Sequence, residues 1–249
     1  MKRQYWERMA NSYQEEIFDV LQQDKKKLLV QAIHRFAKPN DQVIDIGCAV
    51  GKWLPVLSPL FKKVVALDIS ANNLKIAASL YPTLTNVDYK RADMSNPRLQ
   101  LQPASFGICI NAILTPHAKD RLIFFKNLKK CIKKKGTLIM TVPSLESYLL
   151  TRILQQQIGI DKKEFSTKIS LQKLKSNWKN LMQGVGDIDN VPHKHFLEEE
   201  LLFNLQQVDF NVIEINKIEY PWSTEFNRPP TWLRSPHPWD WMVVAQRTQ

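Results

Sequence analysis

The sequence predicts an α/β fold with a doubly wound, mostly parallel sheet, and three observations carry that reading. Between residues 42 and 142, strand-like apolar runs alternate with helical stretches, and strand, helix, strand in succession makes right-handed crossovers with parallel neighbours. Runs such as "KVVALDI" and "GTLIMTV" are apolar at nearly every position, as strands covered on both faces are. Finally, "VIDIGCAVGKW", residues 43–53, carries an acid and then two glycines four residues apart, at the point where a strand hands over to a helix.

Taken in order, Trp6, Met9, Ala10, Tyr13, Ile17 and Leu21 fall on one stripe over residues 5–21, so an amphipathic helix opens the chain. A second helix is expected from Asp24, as N-cap, through "KKKLLVQAIHRFA", with "KPND" stopping it. Strands follow at "QVIDIG", "KVVALDI", "VDYKRA", "FGICINAI" and "GTLIMTV". Between them lie helices at "KWLPVLSPLF", at "SANNLKIAASLY" with Ser70 as cap, and at "AKDRLIFFKNLKKCIKK", closed by Gly136. After Pro143 the pattern changes: residues 144–195 are rich in Lys and Gln and expected to be helical, with "GVGDIDNVP" as a loop and no clear strand. A helix at "FLEEELLFNLQQVDF" and strands at "FNVIEINKIEY" and "DWMVVAQRT" complete seven strands. The division is one domain: N-terminal helices 1–38, core 39–143, a variable substrate-cap insertion 144–195, and the last helix and strand pair 196–249. The connector from Pro221 to Pro238 is too long for a tight hairpin.

With 249 residues, 44% hydrophobic and 24% charged, the chain has the make-up of one large globular domain. No apolar stretch approaches the ~18 residues of a membrane span, and "MKRQYWERMANSYQEE" lacks an apolar signal-peptide centre, so a cytoplasmic location is expected. Cys48, Cys109 and Cys131 are spaced neither as a zinc site nor as a disulfide framework. The net charge of +11 invites an anionic partner. Yet the runs Lys25–Lys27, Lys62–Lys63 and Lys129–Lys135 lie beside helix ends or on helix faces, and aromatics do not interleave with them as a stacking platform for nucleic acid requires. Segment 161–180 is locally basic, with six lysines against two acids.

The glycine turn excludes two ligand classes. A dinucleotide loop, GxGxxG, would need glycine where Ala49 stands, and Lys52 lacks both the loop before it and the Ser or Thr after it that a phosphate-binding loop requires. What remains is DxGxxxG with Asp45 at its head, Asp68 ending the next strand 21 residues after Gly47, and Asp93 in "RADM" ending the third. An acid placed as Asp68 is accepts both hydroxyls of a ribose. Asp93 is suited to an exocyclic amine, with Ile69 and Met94 on either side of an adenine ring.

This ordered set resembles the class I S-adenosylmethionine-dependent methyltransferases. The resemblance runs from Gln42 to Val142 at the level of motifs and more loosely to the end, where "FNVIEI" and "WMVVAQ" look like the family's last, antiparallel pair. It implies a seven-stranded sheet with an antiparallel last strand, helices on both faces, and S-adenosyl-L-methionine as cofactor. It places Asp45, Gly47, Cys48 and Gly51 on the methionine and ribose side, Asp68 on the ribose, Ile69, Asp93 and Met94 on the adenine, and Asn111 beside the methionine moiety and the transferring methyl. It also implies a lid formed by Tyr5, Trp6 and Tyr13, although packing of an amphipathic helix accounts for the same residues.

Methyl transfer from a sulfonium is an in-line displacement with a neutral leaving group. The protein's main contribution is alignment, worth ~7 to 11 kcal/mol, and a base is needed only when the nucleophile arrives protonated. Candidate bases are His117, after the fourth strand, and His193 in "VPHKHFLEEE"; His117 could equally cap the next helix. His193 and His195 lack a third ligand nearby, so no metal is expected. His34 and His237 read as structural. Trp222, Trp232, Trp239 and Trp241 either wall a pocket for a flat or cationic acceptor or pin the long connector. The fourth strand ends in "NAIL" rather than an Asn/Asp-Pro-Pro-aromatic tetrad, and no Pro-Cys nucleophile is present. The acceptors left by the resemblance are a small molecule, a lipid-like precursor or a protein side chain, and O or N of a small molecule is the expectation. An RNA or protein acceptor using segment 161–180, or a non-catalytic cofactor-binding module of the same fold, is the alternative.

Overall fold

The computed structural model describes residues 3–10, 19–160, 171–188 and 191–249. Seven strands form one sheet: β1 (Gln42–Ile46), β2 (Lys63–Asp68), β3 (Val87–Arg91), β4 (Ala104–Ile110), β5 (Ile132–Pro143), β8 (Phe210–Glu219) and β9 (Trp239–Arg247). Their order is β3-β2-β1-β4-β5-β9-β8. Neighbours from β3 to β5 are parallel, and β9 runs antiparallel to both β5 and β8. This is the doubly wound, seven-stranded arrangement that the sequence predicts.

The continuous apolar runs are explained by helices on both faces. Leu29 and Ile33 of α3 (Leu28–Phe36), Leu54 and Leu57 of α4 (Leu54–Leu57), and Leu74 and Ala77 of α5 (Ala71–Leu80) pack in one cluster. Phe124, Phe125 and Leu128 of α6 (Ala118–Cys131), with Leu201 and Leu205 of α9 (Glu198–Gln206), pack on the opposite face. Strand β3 forms an edge and carries charge instead: Asp88 pairs with Lys63 and Lys90 at 3.4 and 3.3 Å, which blunts pairing with another chain.

Three boundaries differ from expectation. The chain opens with α1 (Arg3–Met9) and a short α2 (Val20–Gln23); residues 11–18, across which the predicted first helix continues, lie outside the described residues. Helix α3 begins at Leu28 rather than after Asp24, because Lys27 takes a left-handed conformation (φ 53). Asp24 still serves that helix, accepting the Leu29 N–H at 2.9 Å from further back. Gly136 does not close α6: the helix ends at Cys131 and runs straight into β5. Gly136 instead lies inside β5, where a Cβ would meet the carbonyls of Lys133 and Ser105 at 2.8 Å, and Lys133 to Lys135 stand on exposed strand positions.

The insertion contains strand as well as helix. After α7 (Leu145–Ile158) and α8 (Leu171–Leu181) comes a hairpin of β6 (Val185–Ile188) and β7 (Val191–Lys194), where no strand is expected from sequence. It exists because its backbone finds partners on the ends of β4 and β5. Lys194 N–H donates to Leu114 O at 3.1 Å and Phe196 N–H to Pro143 O at 2.8 Å, and His195 N–H returns to Gly184 O at 2.7 Å. The Tyr148 ring packs against Gly186, where a Cβ would lie 2.5 Å from it. The hairpin and the residues after it are thus fastened beyond the carboxyl ends of β4 and β5.

The connector 221–238 is pinned by Trp222. Its indole N–H reaches Arg234 O at 2.7 Å and Pro236 O at 3.1 Å, and its ring stacks on Phe226 at 5.3 Å.

Candidate functional site

A cavity of about 360 Å³ opens beyond the carboxyl ends of β1, β2, β3 and β4, within the range of small-molecule sites. Its shape begins with the glycine turn. Gly47 adopts φ 76, and a Cβ there would lie 2.5 Å from the Ala112 Cβ, so only glycine lets the turn after β1 close against the turn after β4. The Gly47 and Cys48 N–H groups both donate to Leu67 O at 2.8 Å, which locks the turn to the end of β2. Gly51 acts elsewhere. A Cβ on it would meet Leu54 Cδ1 at 2.7 Å and Ala77 Cβ at 3.0 Å, so its absence lets α4 and α5 approach. Ala49 lines the cavity in a left-handed conformation, φ 48, at a cost of about 1–2 kcal/mol for a residue with a Cβ. Its N–H is held by Asp68 Oδ2 at 2.9 Å.

Asp68 lines the cavity and is organised by three donors. Besides Ala49, the Ser70 N–H and Asn73 Nδ2 donate to its Oδ1 at 2.8 and 3.2 Å. Burial raises its pKa and these three bonds counter the rise. A carboxylate has about four acceptor sites, so capacity remains for a ligand. Asp45, 2% exposed, stands beside it. Its Oδ2 has no hydrogen-bond partner among the described residues, and burial, with the charge of Asp68 second, pushes its pKa up to about 8.

At the end of β3, Asp93, Ile69 and Met94 line the cavity together. Asp93 accepts the Ser95 N–H at 2.8 Å. Asn127, on α6, braces this turn by donating to Met94 O and Asn96 O at 2.9 and 2.8 Å. Asn111 lines the cavity at φ 46, but its amide is committed to the sheet. Nδ2 donates to Asp240 Oδ2 at 2.6 Å, and Oδ1 accepts from Thr141 Oγ1 at 2.9 Å. Tyr220 also donates to Asp240, at 2.9 Å. Burial pushes Asp240 up to about 6, against the pull of the Asn111 and Tyr220 bonds.

Helix α1 covers one side: Arg3 and Trp6 line the cavity. Glu7 of the same helix accepts Ser70 Oγ at 2.8 Å and the Ala71 and Asn72 N–H groups at 3.1 Å. A carboxylate at the start of α5 satisfies donors that the helix itself leaves open and sits favourably on its dipole. Burial acts to raise the Glu7 pKa, but the Ala71, Asn72 and Ser70 bonds and Arg3 prevail and lower it. The contact is therefore held at neutral pH and lost as pH falls through the carboxylate range. Glu7→Ala is expected to speed amide hydrogen exchange over residues 3–9 at least about tenfold, since fraying segments open at little cost, while β1 keeps its protection; unchanged exchange would show that Glu7 does not hold the helix.

Six of the predicted cofactor contacts line the cavity: Gly47, Asp68, Ile69, Asp93, Met94 and Asn111. Asp45, Cys48 and Gly51 stand behind it as buried residues, and Tyr13 lies outside the described residues. Neither candidate base is on the wall. His117 is exposed at the N-cap of α6 with no side-chain cap bond, and His193 directs Nδ1 to Val191 O at 2.7 Å. His195 is buried against Tyr148, ring centroids 4.5 Å apart, and burial pushes its pKa down to about 3. Trp222, Trp239 and Trp241 are buried and Trp232 is 66% exposed; among the described residues the aromatic side chains on the cavity wall are Trp6 and Phe124 instead. Sequence reasoning missed Arg3, Asn73, Asp120 and Phe124 as cavity residues. Of these only Asn73 carries a signal, three residues after the cap Ser70, whose Oγ accepts its N–H at 3.1 Å. Among the described residues no group of three or more His, Cys, Asp or Glu is arranged to hold a metal.

Residues 44–140 match a family model described as a methyltransferase domain. The chain is 26% identical over 180 residues to the malonyl-[acyl-carrier protein] O-methyltransferase of Marinomonas sp., covering 70% of this chain and 64% of that protein. It is also 26% identical over 113 residues to the ubiquinone biosynthesis O-methyltransferase of Pelagibacter ubique, covering 44% and 46%. The matches thus span between about half and two thirds of these relatives' lengths. Among solved structures, a SAM-dependent methyltransferase from Anabaena variabilis superposes with a TM-score of 0.66 at 16% identity, covering 98% of this chain and 94% of that one.

Proposed function

We propose, from the premise that residues 44–140 form a methyltransferase domain of the class I, S-adenosylmethionine-dependent type, that the protein is an enzyme transferring a methyl group to an oxygen or nitrogen of a small-molecule acceptor. The observation that carries the reading is the pair of carboxylates, Asp68 and Asp93, set at successive strand ends on one cavity wall. The residues present fit the cofactor. Asp68 keeps acceptor capacity for a ribose hydroxyl, Asp93 suits an exocyclic amine, and Ile69 and Met94 offer apolar faces to adenine. Behind the wall Oδ2 of the buried Asp45 has no partner among the described residues, and Arg3 on the wall suits a carboxylate.

When bound, the cofactor supplies an electrophilic methyl on a sulfonium with a neutral thioether as leaving group. Everything else falls to the chain. Trp6 and Phe124 exclude water, and the Gly47–Ala112 approach closes the floor. The Lys194–Leu114 bond fixes the cap beside the wall. Alignment of this kind needs no triad. His117 and His193 are given no part in proton removal, since neither lines the cavity. The two curated relatives described above are named as O-methyltransferases, which favours oxygen as the attacking atom.

The reading is tested by incubation with methyl-labelled cofactor and fractionated cell extract. Label is expected in the small-molecule or organic-soluble fraction. Label confined to RNA or protein would overturn the acceptor class, and no transfer at all, with the cofactor bound, would leave a binding module.

A further inference from the structure

The insertion exposes apolar side chains out of proportion to its size. Of the twelve large apolar side chains exposed among the described residues, six belong to it: Leu149, Ile153, Leu171, Trp178, Met182 and Ile188, although it spans only residues 144–195 of 249. Three of the six lie on or just beyond α8, where Leu171, Trp178 and Met182 are 78%, 64% and 69% exposed. At 3.6 residues per turn these three fall within about 40° of one another, with Lys175 and Lys179 along one flank of the stripe. No described side chain of α8 is buried. From residue 165 to residue 186 the chain carries four lysines and no acid.

An apolar stripe beside a row of cations has a specific physical match. A nucleic acid would use the lysines and a stacking tryptophan, but gains nothing from exposed Leu and Met. A bilayer with anionic headgroups takes both: the lysines meet the negative surface, and Leu171, Trp178 and Met182 enter the boundary between headgroups and acyl chains. Among the described residues no helix is long and apolar enough to cross a membrane, so the contact is with the surface. The geometry also joins this surface to the cavity. Helix α8 turns through Gly184 into the β6–β7 hairpin, whose Lys194 N–H holds Leu114 of the cavity wall at 3.1 Å.

We propose that α8 docks the protein on an anionic lipid bilayer, with its Leu171–Trp178–Met182 stripe inserted and Lys175 and Lys179 on the headgroups. On the methyl-transfer reading of the cavity, on which this last step rests, the acceptor is an amphiphile taken from that bilayer.

Co-sedimentation of the full chain, without cofactor, with vesicles of phosphatidylcholine alone or mixed equally with phosphatidylglycerol tests the docking. Binding is expected only to the mixed vesicles. Trp178→Ser and the pair Lys175→Glu with Lys179→Glu should each weaken it about tenfold or more, as charge near an anionic surface and lost apolar insertion require. Trp232→Ser, equally exposed at 66% but outside the insertion, should leave it unchanged. Equal binding to both vesicle types, or equal binding by all variants, would overturn the proposal. So would capture by an RNA oligonucleotide that the same variants abolish while vesicles are ignored. Because no cofactor is present, failure here leaves methyl transfer standing, and failure of methyl transfer leaves the vesicle result standing.

Discussion

Asp68→Ala is expected to lower affinity for S-adenosylmethionine about tenfold to a hundredfold, read by calorimetric titration. A hydrogen bond to a charged acceptor contributes roughly 1.5–3 kcal/mol, and with three donors already on it this carboxylate keeps one of its about four acceptor sites for a ribose hydroxyl. The variant also strands the Ala49 and Ser70 N–H groups and Asn73 Nδ2, all of which donate to Asp68, so some loss of stability accompanies the loss of binding. Asp68→Asn separates the two effects. Its one carbonyl oxygen keeps the bonds from Ser70 and Asn73 while its NH2 faces the Ala49 N–H, so stability falls less than in Asp68→Ala while affinity falls about tenfold through the missing charge. Full affinity in a folded Asp68→Ala protein would mean that the acid at the end of β2 serves the loop alone.

Raising the pH from 5 to 8 is expected to destabilise the ligand-free protein, and Asp45→Asn to flatten that slope by up to about 1.4 kcal/mol per pH unit. The Asp45 carboxyl is held near 8 by burial and then by Asp68, against 3.8 for an ordinary aspartate. Because its folded pKa is raised, its contribution is fully present below about pH 4. It is lost as the unfolded chain ionises while the folded one does not, and it levels off above about pH 8. The slope for one such proton is up to about 1.4 kcal/mol per pH unit, and the sum is on the order of a few kcal/mol. Asp68, Glu225 and Asp240, also raised by burial, add slopes of the same sign, and His195, pushed down to about 3, adds one of opposite sign below about pH 6.5; the variant retains all four. Urea unfolding at pH 5, 6.5 and 8 reads both. Parallel curves for wild type and Asp45→Asn would show that Asp45 is already charged in the folded state. A cationic ligand beside Asp45 would favour its ionised form, so cofactor affinity should rise with pH over the same interval.

Four of the five parallel strands, β1, β2, β4 and β5, are legible in the sequence because burial on both faces forces apolar runs, and Ser70 is legible as a cap because hydroxyl capping is local. The β6–β7 hairpin is not. Gly184, Gly186 and Pro192 erase any alternation, and its stability comes from backbone bonds to Leu114 and Pro143, which are distant in sequence. The same division runs through the site. Gly47, Asp68 and Asp93 follow strand ends and can be found by spacing, whereas Arg3 and Trp6 reach the cavity because Glu7 ties α1 to the start of α5, a contact between residues 63 to 65 positions apart. His117 follows β4, where position alone suggests a base, but its side chain falls on the exposed start of α6. Ala49 shows that the third glycine of the turn can be replaced when a neighbouring carboxylate holds the left-handed backbone in place.

The central claim is that the carboxylates at the ends of β2 and β3 hold the sugar and base of S-adenosylmethionine. Calorimetric titration of the unmodified protein tests it most directly. One cofactor should bind per chain with a micromolar dissociation constant, S-adenosylhomocysteine should compete, and NAD should not. Absence of heat at millimolar cofactor with folded protein, or displacement by NAD, would contradict it.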